Sequence, residues 1–474
     1  MFITYQLLFP LVFIILLLEF IVPKKIRSFL LLALSFFLYY ICGTASFYIL
    51  PAMGVVSYAS TMAMKKLGSQ TAKKVILFSS ITVIVGLMLA FRYTGIKNAA
   101  PLGLSFFALE AISYISDCYT GKIETENNPL YVLLYIAFFP TVISGPIERG
   151  GNLIPQFKKL DSCSRKDLLD INRLCDNAII IIFGMFVKLV IADRLSIVSN
   201  TIFSTYYRYG TTVLIIGAIS FGMQLYCDFM AYSHIALGIA GMFNIGIMDN
   251  FKAPYLSVSV TDFWRRWHIS LSSWLRDYVY IPLGGNRKGK LRKYLNTFIT
   301  FVISGIWHGS GLSFLVWGCL HGLYIMIENL LTDIGLMKKD KSSIPFGGRF
   351  LRAIVTFVLV DFAWIFFKAD STKIACAYIK QMFTVKDFWI LSDMNKFFSF
   401  GLGIQEVLIL ITALLILAGM DFVTYKNNLR VDSWLKIQGP VFRVIFTLAI
   451  LLFTIVFGIY GETVDPATFY YMSF

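Results

Sequence analysis

Charged side chains are scarce in this chain. Asp, Glu, Lys and Arg together make up 15% of its 474 residues, whereas a soluble domain carries about 25%. Hydrophobic residues reach 57%, and the mean hydropathy is +0.72. The composition therefore excludes an ordinary soluble domain.

Cysteine pairs and the common catalytic motifs are also missing. The seven cysteines are odd in number and include no CxxC pair, which counts against a disulfide framework and a zinc site. The chain has no GxSxG elbow, P-loop or HExxH motif. No internal repeat is visible, which disfavours the inverted repeats found in many transporters. We therefore expect neither a metal site nor a repeat-built transporter.

Long apolar runs take the place of the missing charges. A helix needs about 20 apolar residues to cross a bilayer, and the runs follow one another along the whole chain. They predict an all-α, polytopic membrane protein of about 11 transmembrane helices, with shorter runs re-entrant or interfacial, in a single domain over 1–474. The runs are 7–22, 28–41, 45–64, 75–91, 101–119, 130–147, 176–192, 211–227, 229–248, 294–307, 311–330, 350–367, 405–422 and 442–460.

The charges that are present are mostly basic and lie between the runs. The net charge is +15, which topology and contact with anionic lipid headgroups explain without any nucleic acid partner. Lys24, Lys25 and Arg27 predict a cytoplasmic loop after the first run, and hence an N-terminus outside. We expect a multi-pass protein of the plasma or inner membrane.

The segment 259–280 contains too many charges for a spanning helix. At 100° per residue it predicts one amphipathic helix at the membrane boundary, capped by Ser259, Thr261 or Asp262. Arginine and tryptophan are also ordinary interfacial anchors, so the pattern alone does not establish a site. One face would hold Trp264, Trp267, Leu271, Trp274 and Tyr278, and the neighbouring face Arg265, His268, Ser272 and Arg276.

All four histidines lie between 234 and 321, and His308 is the strongest candidate for chemistry. Its sequence, SGIWHGSG, joins a bulky indole to glycines that permit close backbone approach. An ionisable residue within apolar membrane sequence is a functional candidate by default, although a hydrogen bond to a neighbouring helix is the alternative. Imidazole can take and return a proton near neutrality.

The other histidines are weaker candidates. His268 would orient a group or stabilise an oxyanion, or face lipid headgroups. His321 lies 13 residues after His308, about 220° away on an unbroken helix, so we expect it to make a structural hydrogen bond. His234 is expected to be structural too, bonded alongside Asp228.

A basic loop follows the amphipathic segment. Gly284 and Gly285 predict a tight turn into a stretch that could bind phosphates of an acyl carrier, or serve only as a cytoplasmic basic loop. The candidates for contact with substrate or donor are Trp264, Arg265, Trp307, Asn286, Arg287 and Lys288.

Two linked stretches resemble a known family. DFWRRWHISLSSWLRDYVYIPLGGNRKG (262–289) and GIWHGSGLSFLVWGCLHG (305–322) resemble the membrane-bound O-acyltransferase (MBOAT) family, and FFPTVISGPIERGGNLIPQF (138–157) is similar to its pattern too. The likeness is strongest to the alginate O-acetyltransferase branch and more distant to teichoic-acid D-alanyl transfer proteins. IPLGGNRKG (281–289) favours the acetyl branch.

The resemblance implies the MBOAT fold, with a central tunnel and a catalytic centre within 259–322. It implies that His308 is the catalytic histidine and His268 the second centre residue. The donor would be an acyl thioester, acetyl-CoA or an acyl carrier, with no tightly bound cofactor. The acceptor would be an extracellular polysaccharide such as alginate or cellulose, and partners would be membrane lipids and an extracellular SGNH-hydrolase-like acetyltransferase or polysaccharide-synthesis proteins.

Three alternatives remain open from the sequence. They are D-alanyl transfer to teichoic acid, a proton-coupled transporter or flippase that uses an intramembrane histidine, and an inactive scaffold. Clustering of the charges in one segment and the lack of repeat halves count against the transporter.

Overall fold

The computed structural model describes residues 12–13, 16–17, 21–41, 47–93, 101–287, 289–337, 345–392 and 400–460. Within these ranges the chain is helical and contains no strand, which confirms the all-α prediction. The described residues form two compact units, one within Met1–Ile181 and Tyr232–Asp249, the other within Ile182–Ala231 and Asn250–Val464.

The first nine helices belong wholly or mostly to the first unit. Arg27, predicted to be a loop cation, is instead fully buried at the start of the first helix, because its guanidinium donates to the carbonyls of Leu160 (3.2 Å) and Cys163 (3.0 Å). The helices are α1 Arg27–Ile41, α2 Ile49–Lys66, α3 Gln70–Tyr93, α4 Leu104–Thr120, α5 Pro129–Ala137, α6 Phe139–Val142, α7 Gly150–Leu160, α8 Arg165–Leu168 and α9 Ile171–Phe186.

The remaining helices build the second unit, except that the C-terminal part of α11 belongs to the first. They are α10 Asp193–Ser204, α11 Thr211–Met242, α12 Val260–Arg266, α13 Ile269–Leu275, α14 Lys290–His308, α15 Leu312–Asp333, α16 Phe346–Lys368, α17 Thr372–Thr384, α18 Ile404–Asn427, α19 Val431–Ile437 and α20 Pro440–Phe457. Two π-helical segments, Val187–Ala192 and Arg276–Tyr280, adjoin them.

Seven helical segments among the described residues are long and apolar enough to cross a membrane. The protein is therefore a multi-pass membrane protein, while the expected number of about 11 spans is not confirmed. Within one apolar 18-residue stretch of Ile171–Ser204 and one of Thr211–Met242, 72% and 78% of the residues are buried, against 44% or less in the corresponding stretches of the other spans. These two helices are therefore enclosed mainly by protein rather than lipid.

The apolar runs 211–227 and 229–248 lie largely within one continuous helix, Thr211–Met242. Asp228, which separates the two runs, is paired with the ammonium group of Lys188 at 2.5 Å. Pairing offsets the cost of placing a carboxylate in an apolar interior. The helix therefore continues through a charge that looks like an interruption in the sequence.

The segment 138–157, which resembles the family pattern, ties one loop of the first unit to α7. Glu148 accepts hydrogen bonds from the Met248 N–H at 2.5 Å and from the Asn152 amide at 2.8 Å. Gln156 donates to the Gly246 carbonyl at 2.9 Å and accepts from the Gly246 N–H at 2.7 Å. Glu148, just before α7, and Asn152 and Gln156 on α7 thus hold the 246–248 loop, Asn152 through a hydrogen bond to the Gly246 carbonyl at 3.3 Å.

Candidate functional site

The predicted single helix over 259–280 is interrupted at His268. α12 ends at Arg266 and α13 begins at Ile269, and His268 between them has a left-handed backbone with φ +45°. Asn250 stabilises the break, since its carbonyl accepts from the Ile269 N–H (3.1 Å) and its side chain from the Ser270 N–H (3.2 Å). These acceptors replace the helical ones that the break removes. Ser259 is the N-cap and accepts from the Asp262 N–H.

The apolar face of this segment is largely as predicted. Trp264, Trp267, Leu271 and Trp274 are buried, and Tyr278 is half-buried. The prediction of the polar face is wrong for His268, which is fully buried, whereas Arg265 and Arg276 on that face are exposed. The break turns His268 away from the arginines, which an unbroken helix would have kept on its side.

His268 lies among aromatic rings. Its imidazole packs edge-on against Phe229, with ring centroids 4.6 Å apart, and lies 6.2 Å from the indole of Trp307. Burial lowers the pKa of His268 to about 3, because an apolar surrounding disfavours the charged form. The ring is therefore neutral at physiological pH, with one nitrogen able to donate and the other able to accept.

Two glycines bring α14 and α15 into close backbone contact. A Cβ added at Gly305 would lie 2.5 Å from the Phe314 carbonyl oxygen, and one added at Gly318 would lie 2.4 Å from the Phe301 carbonyl oxygen. The expected close approach near His308 is thus confirmed at Gly305. His308 and His321 do not lie on one unbroken helix, because α14 ends at His308 and α15 begins at Leu312. The angle expected between them on a single helix therefore does not apply.

His308 is the last residue of α14 and is 2% exposed. Its ring centroid lies 4.7 Å from that of Trp307, 4.9 Å from Trp317 and 5.3 Å from Phe367, with each pair near perpendicular. Trp307 therefore borders both His308 and His268. The arrangement places two imidazoles within one aromatic enclosure where water has little access.

His321 joins the same enclosure from α15. Its Nδ1 accepts a hydrogen bond from the Trp264 indole N–H at 3.2 Å, so the predicted hydrogen bond is confirmed. Its centroid also lies 5.0 Å from that of Trp317. The indole of Trp317 thus contacts the imidazoles of both His308 and His321.

The basic loop is held at the other end of α14. Asn296 donates to the carbonyls of Leu283 (3.3 Å) and Gly285 (2.9 Å), while Asn286 and Arg287 are exposed; Lys288 lies outside the described residues. The helix from Lys290 to His308 spans about 27 Å. Asn286 and Arg287 of the basic loop therefore do not lie near His308. Trp264 contacts His321, and Trp307 contacts His308 and His268.

His234 is half-buried on α11, six residues after Asp228. Among the described residues, no group of three or more His, Cys, Asp or Glu side chains is placed to hold a metal ion.

Asn250 and Trp317 have central positions that the sequence did not single out. Asn250 stabilises a break 18 residues away, which no local pattern reveals. Trp317 follows His308 by nine residues and precedes His321 by four, and that i, i+4 spacing could have indicated a shared face.

The described residues thus form a helical, multi-pass membrane protein with three buried imidazoles gathered around indole rings. The chain belongs to the MBOAT, membrane-bound O-acyltransferase family, whose model matches residues 29–358. The matched range contains all four histidines, and the family resemblance of the sequence is confirmed.

Several curated proteins are similar to this chain. A probable alginate O-acetylase AlgI of Pseudomonas syringae pv. tomato is 37% identical over 328 residues, which cover 69% of this chain and 60% of that protein. A peptidoglycan O-acetyltransferase of Helicobacter pylori is 33% identical over 306 residues (60% and 56%). A teichoic acid D-alanyltransferase of Bacillus subtilis is 30% identical over 240 residues (48% and 58%). The chain spans about 60% of the length of the alginate O-acetylases it matches.

Proposed function

We propose that the protein is an O-acyltransferase that moves an acetyl group from a cytosolic thioester to hydroxyl groups of a polysaccharide outside the cell. Family membership and the names of the acetylase relatives support this activity. The observation that carries it is the burial of His308 and His268, with both imidazoles close to the indole of Trp307. An imidazole shielded from water beside a second neutral imidazole suits acyl transfer.

His308 is the general base in this proposal. Its neutral ring takes the proton of the acceptor hydroxyl as the oxygen attacks the thioester carbonyl. The tetrahedral intermediate then expels the thiolate, which receives the same proton back from His308, so the ester and the free thiol form with no net proton change. Such assistance contributes about 10²–10⁴-fold in rate.

His268 has the second role, stabilisation of the oxyanion. A neutral imidazole still donates one hydrogen bond, and a donor fixed in an enclosure that excludes water stabilises developing charge without reorganising. The left-handed backbone at φ +45° supports a functional interpretation, because strained conformations of non-glycine residues cluster at active sites.

The donor enters from the cytoplasm in this proposal. Asn286, Arg287 and Lys288 contact the phosphates of acetyl-CoA or an acyl carrier, and Trp264, Arg265 and Trp307 follow along the route towards His308. Because about 27 Å of helix separates the loop from His308, the donor must be long and a passage must connect the two. That passage is the central tunnel, within a single domain over 1–474.

Transfer from a cytosolic donor to an outside acceptor determines where the protein lies and what receives the acetyl group. The protein lies in the plasma or inner membrane among lipids and delivers acetyl groups outward, to the polysaccharide itself or to an extracellular SGNH-hydrolase-like acetyltransferase. The named acceptors of the relatives, alginate and peptidoglycan, are two candidate polymers.

The test uses purified protein in lipid vesicles with acetyl-CoA labelled in the acetyl group. We expect His308→Ala to abolish label transfer to an added polysaccharide, and His268→Ala to reduce it less severely. His234→Ala is the matched control and should retain activity, while Arg287→Ala should raise KM for acetyl-CoA. Full activity of a correctly inserted His308→Ala protein overturns the mechanism.

D-alanyl transfer is the second candidate, favoured by the 30% identity to the Bacillus subtilis protein. The same vesicles, supplied with a D-alanyl carrier-protein thioester in place of acetyl-CoA, distinguish the two donors. A transporter or flippase would release no free CoA from acetyl-CoA in either case.

A further inference from the structure

We propose that His321 is a positioning residue for the acyl-transfer centre, acting through Trp264 and Trp317 on the two catalytic histidines. The inference rests on the proposed function. From the sequence, His321 is expected to make a structural hydrogen bond.

The first step is the attachment of α12 to α15. The Trp264 indole donates to His321 Nδ1 at 3.2 Å, and the Thr261 N–H and hydroxyl both donate to Glu328 Oε2 at 2.9 Å. His321 and Glu328 are seven residues apart on α15 and therefore share a face. Two polar contacts, three residues apart on α12, thus fix both the position and the rotation of this short helix.

The second step connects α12 to His268. α12 ends at Arg266, two residues before His268, and Asn250 holds the backbone just after His268. A left-handed non-glycine backbone persists only where its surroundings determine it from several sides. The His321–Trp264 hydrogen bond supplies one of those sides, so its loss should let α12 shift and carry His268 with it.

The third step connects His321 to His308. Trp317 lies one helical turn before His321 on α15, and its ring centroid is 5.0 Å from His321 and 4.9 Å from His308. The indole is therefore bordered by both imidazoles. A change in the His321 ring alters the surface against which Trp317, and through it His308, is packed.

The hydrogen-bond pattern of His321 favours this indirect role over direct chemistry. Because Nδ1 accepts from Trp264, the neutral ring carries its proton on Nε2, and no lone pair is left to act as a base. Nε2 is buried and has no hydrogen-bond partner within the part of the chain that the structure describes. An unpaired buried donor such as this N–H is unfavourable, and an apolar side chain at position 321 would avoid that cost. The presence of histidine therefore favours a role for its other nitrogen, Nδ1, as the acceptor for Trp264.

Three substitutions separate the acceptor from the bulk of the ring. His321→Asn places a carbonyl oxygen near the Nδ1 position and should preserve the bond to Trp264. His321→Gln reaches the Nε2 position instead, and His321→Leu fills the space without any acceptor. We expect kcat for acetyl transfer to fall about tenfold or more in His321→Leu and His321→Gln and to stay near the parent value in His321→Asn, with KM for acetyl-CoA little changed in all three.

A spectroscopic measurement tests the geometry without relying on activity. One tryptophan Raman band reports hydrogen bonding of the indole N–H. In His321→Leu this band should show one hydrogen-bonded indole fewer than in the parent protein, and in His321→Asn it should be unchanged. Trp264→Phe should lower kcat as much as His321→Leu, and the double variant should lose no more than either single variant.

The outcomes distinguish this inference from the function on which it rests. An unmodified protein that transfers no acetyl group refutes the proposed function, whatever the Raman spectra show. A parental kcat in His321→Leu, or equal losses in His321→Asn and His321→Leu, overturns the positioning role while leaving the function standing. A kcat loss that merely follows the folded fraction, measured by thermal unfolding, also overturns it.

Discussion

Replacing Lys188 by methionine should strongly destabilise the protein, because the lysine neutralises carboxylates in the interior of two largely buried spans. Its ammonium group lies 2.5 Å from Asp228 Oδ1 and 3.0 Å from Asp193 Oδ1, and all three side chains are 7% exposed or less. Removing one partner of a buried ion pair costs about 3–5 kcal/mol, since an uncompensated charge remains. A typical protein is stable by only about 5–15 kcal/mol.

The π-helical segment Val187–Ala192 contains Lys188. Such a segment leaves some carbonyls without their usual helical donor, and the Leu189 carbonyl accepts from the Ile459 N–H at 3.0 Å. The loss of Lys188 should therefore also loosen the contact with the chain that follows α20. We expect thermal unfolding in detergent to reveal a large loss of stability in Lys188→Met.

A second variant tests the buried ion pair if Lys188→Met fails to fold. Lys188→Met combined with Asp228→Asn removes the positive charge and the nearer negative charge together, while Arg194 remains as a countercharge for Asp193. Most of the lost stability should return, because an ion pair replaced as a whole is often nearly neutral. Lys380→Met on the exposed side of α17 is the matched control and should change stability by less than about 0.5 kcal/mol. If adding Asp228→Asn destabilises Lys188→Met further, the ammonium group does not compensate the carboxylate.

Two further predictions concern backbone approach and pH. Gly318→Ala should lower the midpoint of thermal unfolding, because its Cβ would meet the Phe301 carbonyl oxygen at 2.4 Å. Gly419→Ala, in open space on α18, is the control and should raise the midpoint slightly. Equal effects of the two substitutions would contradict the close packing of α14 and α15. The folded His268, with a pKa of about 3, stays neutral while the unfolded imidazole protonates below about pH 6.5, so stability should fall as the pH drops from 6.5 towards 3. The fall between pH 7.5 and 5.0 should be smaller in His268→Gln, and an identical fall would contradict the buried neutral state.

The sequence predicts elements well where the physical cause is local. Apolar runs give the helices, and the alternation of bulky and charged residues gives the buried face of Trp264, Trp267, Leu271 and Trp274. It fails where the cause is a distant partner. The charge of Asp228 suggests an end to the helix, but Lys188 pairs with it and the helix continues. The break in the helix at His268 is stabilised by acceptors on Asn250, 18 residues earlier in the chain.

The candidate site follows the same division. SGIWHGSG indicates His308 and the close backbone approach at Gly305 because the glycines and the indole are adjacent in the chain. The indirect link from His321 to His268 requires α12 and α15 to be packed together, and nothing in the local sequence reports that packing. Arg27 gives the same lesson in the first unit, where a cation typical of a cytoplasmic loop is buried against carbonyls more than 130 residues away.

The aromatic enclosure has a consequence for what the proposed enzyme must avoid. A thioester next to an activating base reacts with water as readily as with a sugar hydroxyl unless water is kept away, and water is far more abundant. Trp307, Trp317 and Phe367 pack their apolar rings against His308, which is only 2% exposed, so the proposed base is shielded from bulk solvent. Exclusion of water also strengthens every electrostatic interaction at the centre. If the proposed mechanism is correct, the rings favour acetyl transfer over thioester hydrolysis, and the ratio of the two rates measures that effect.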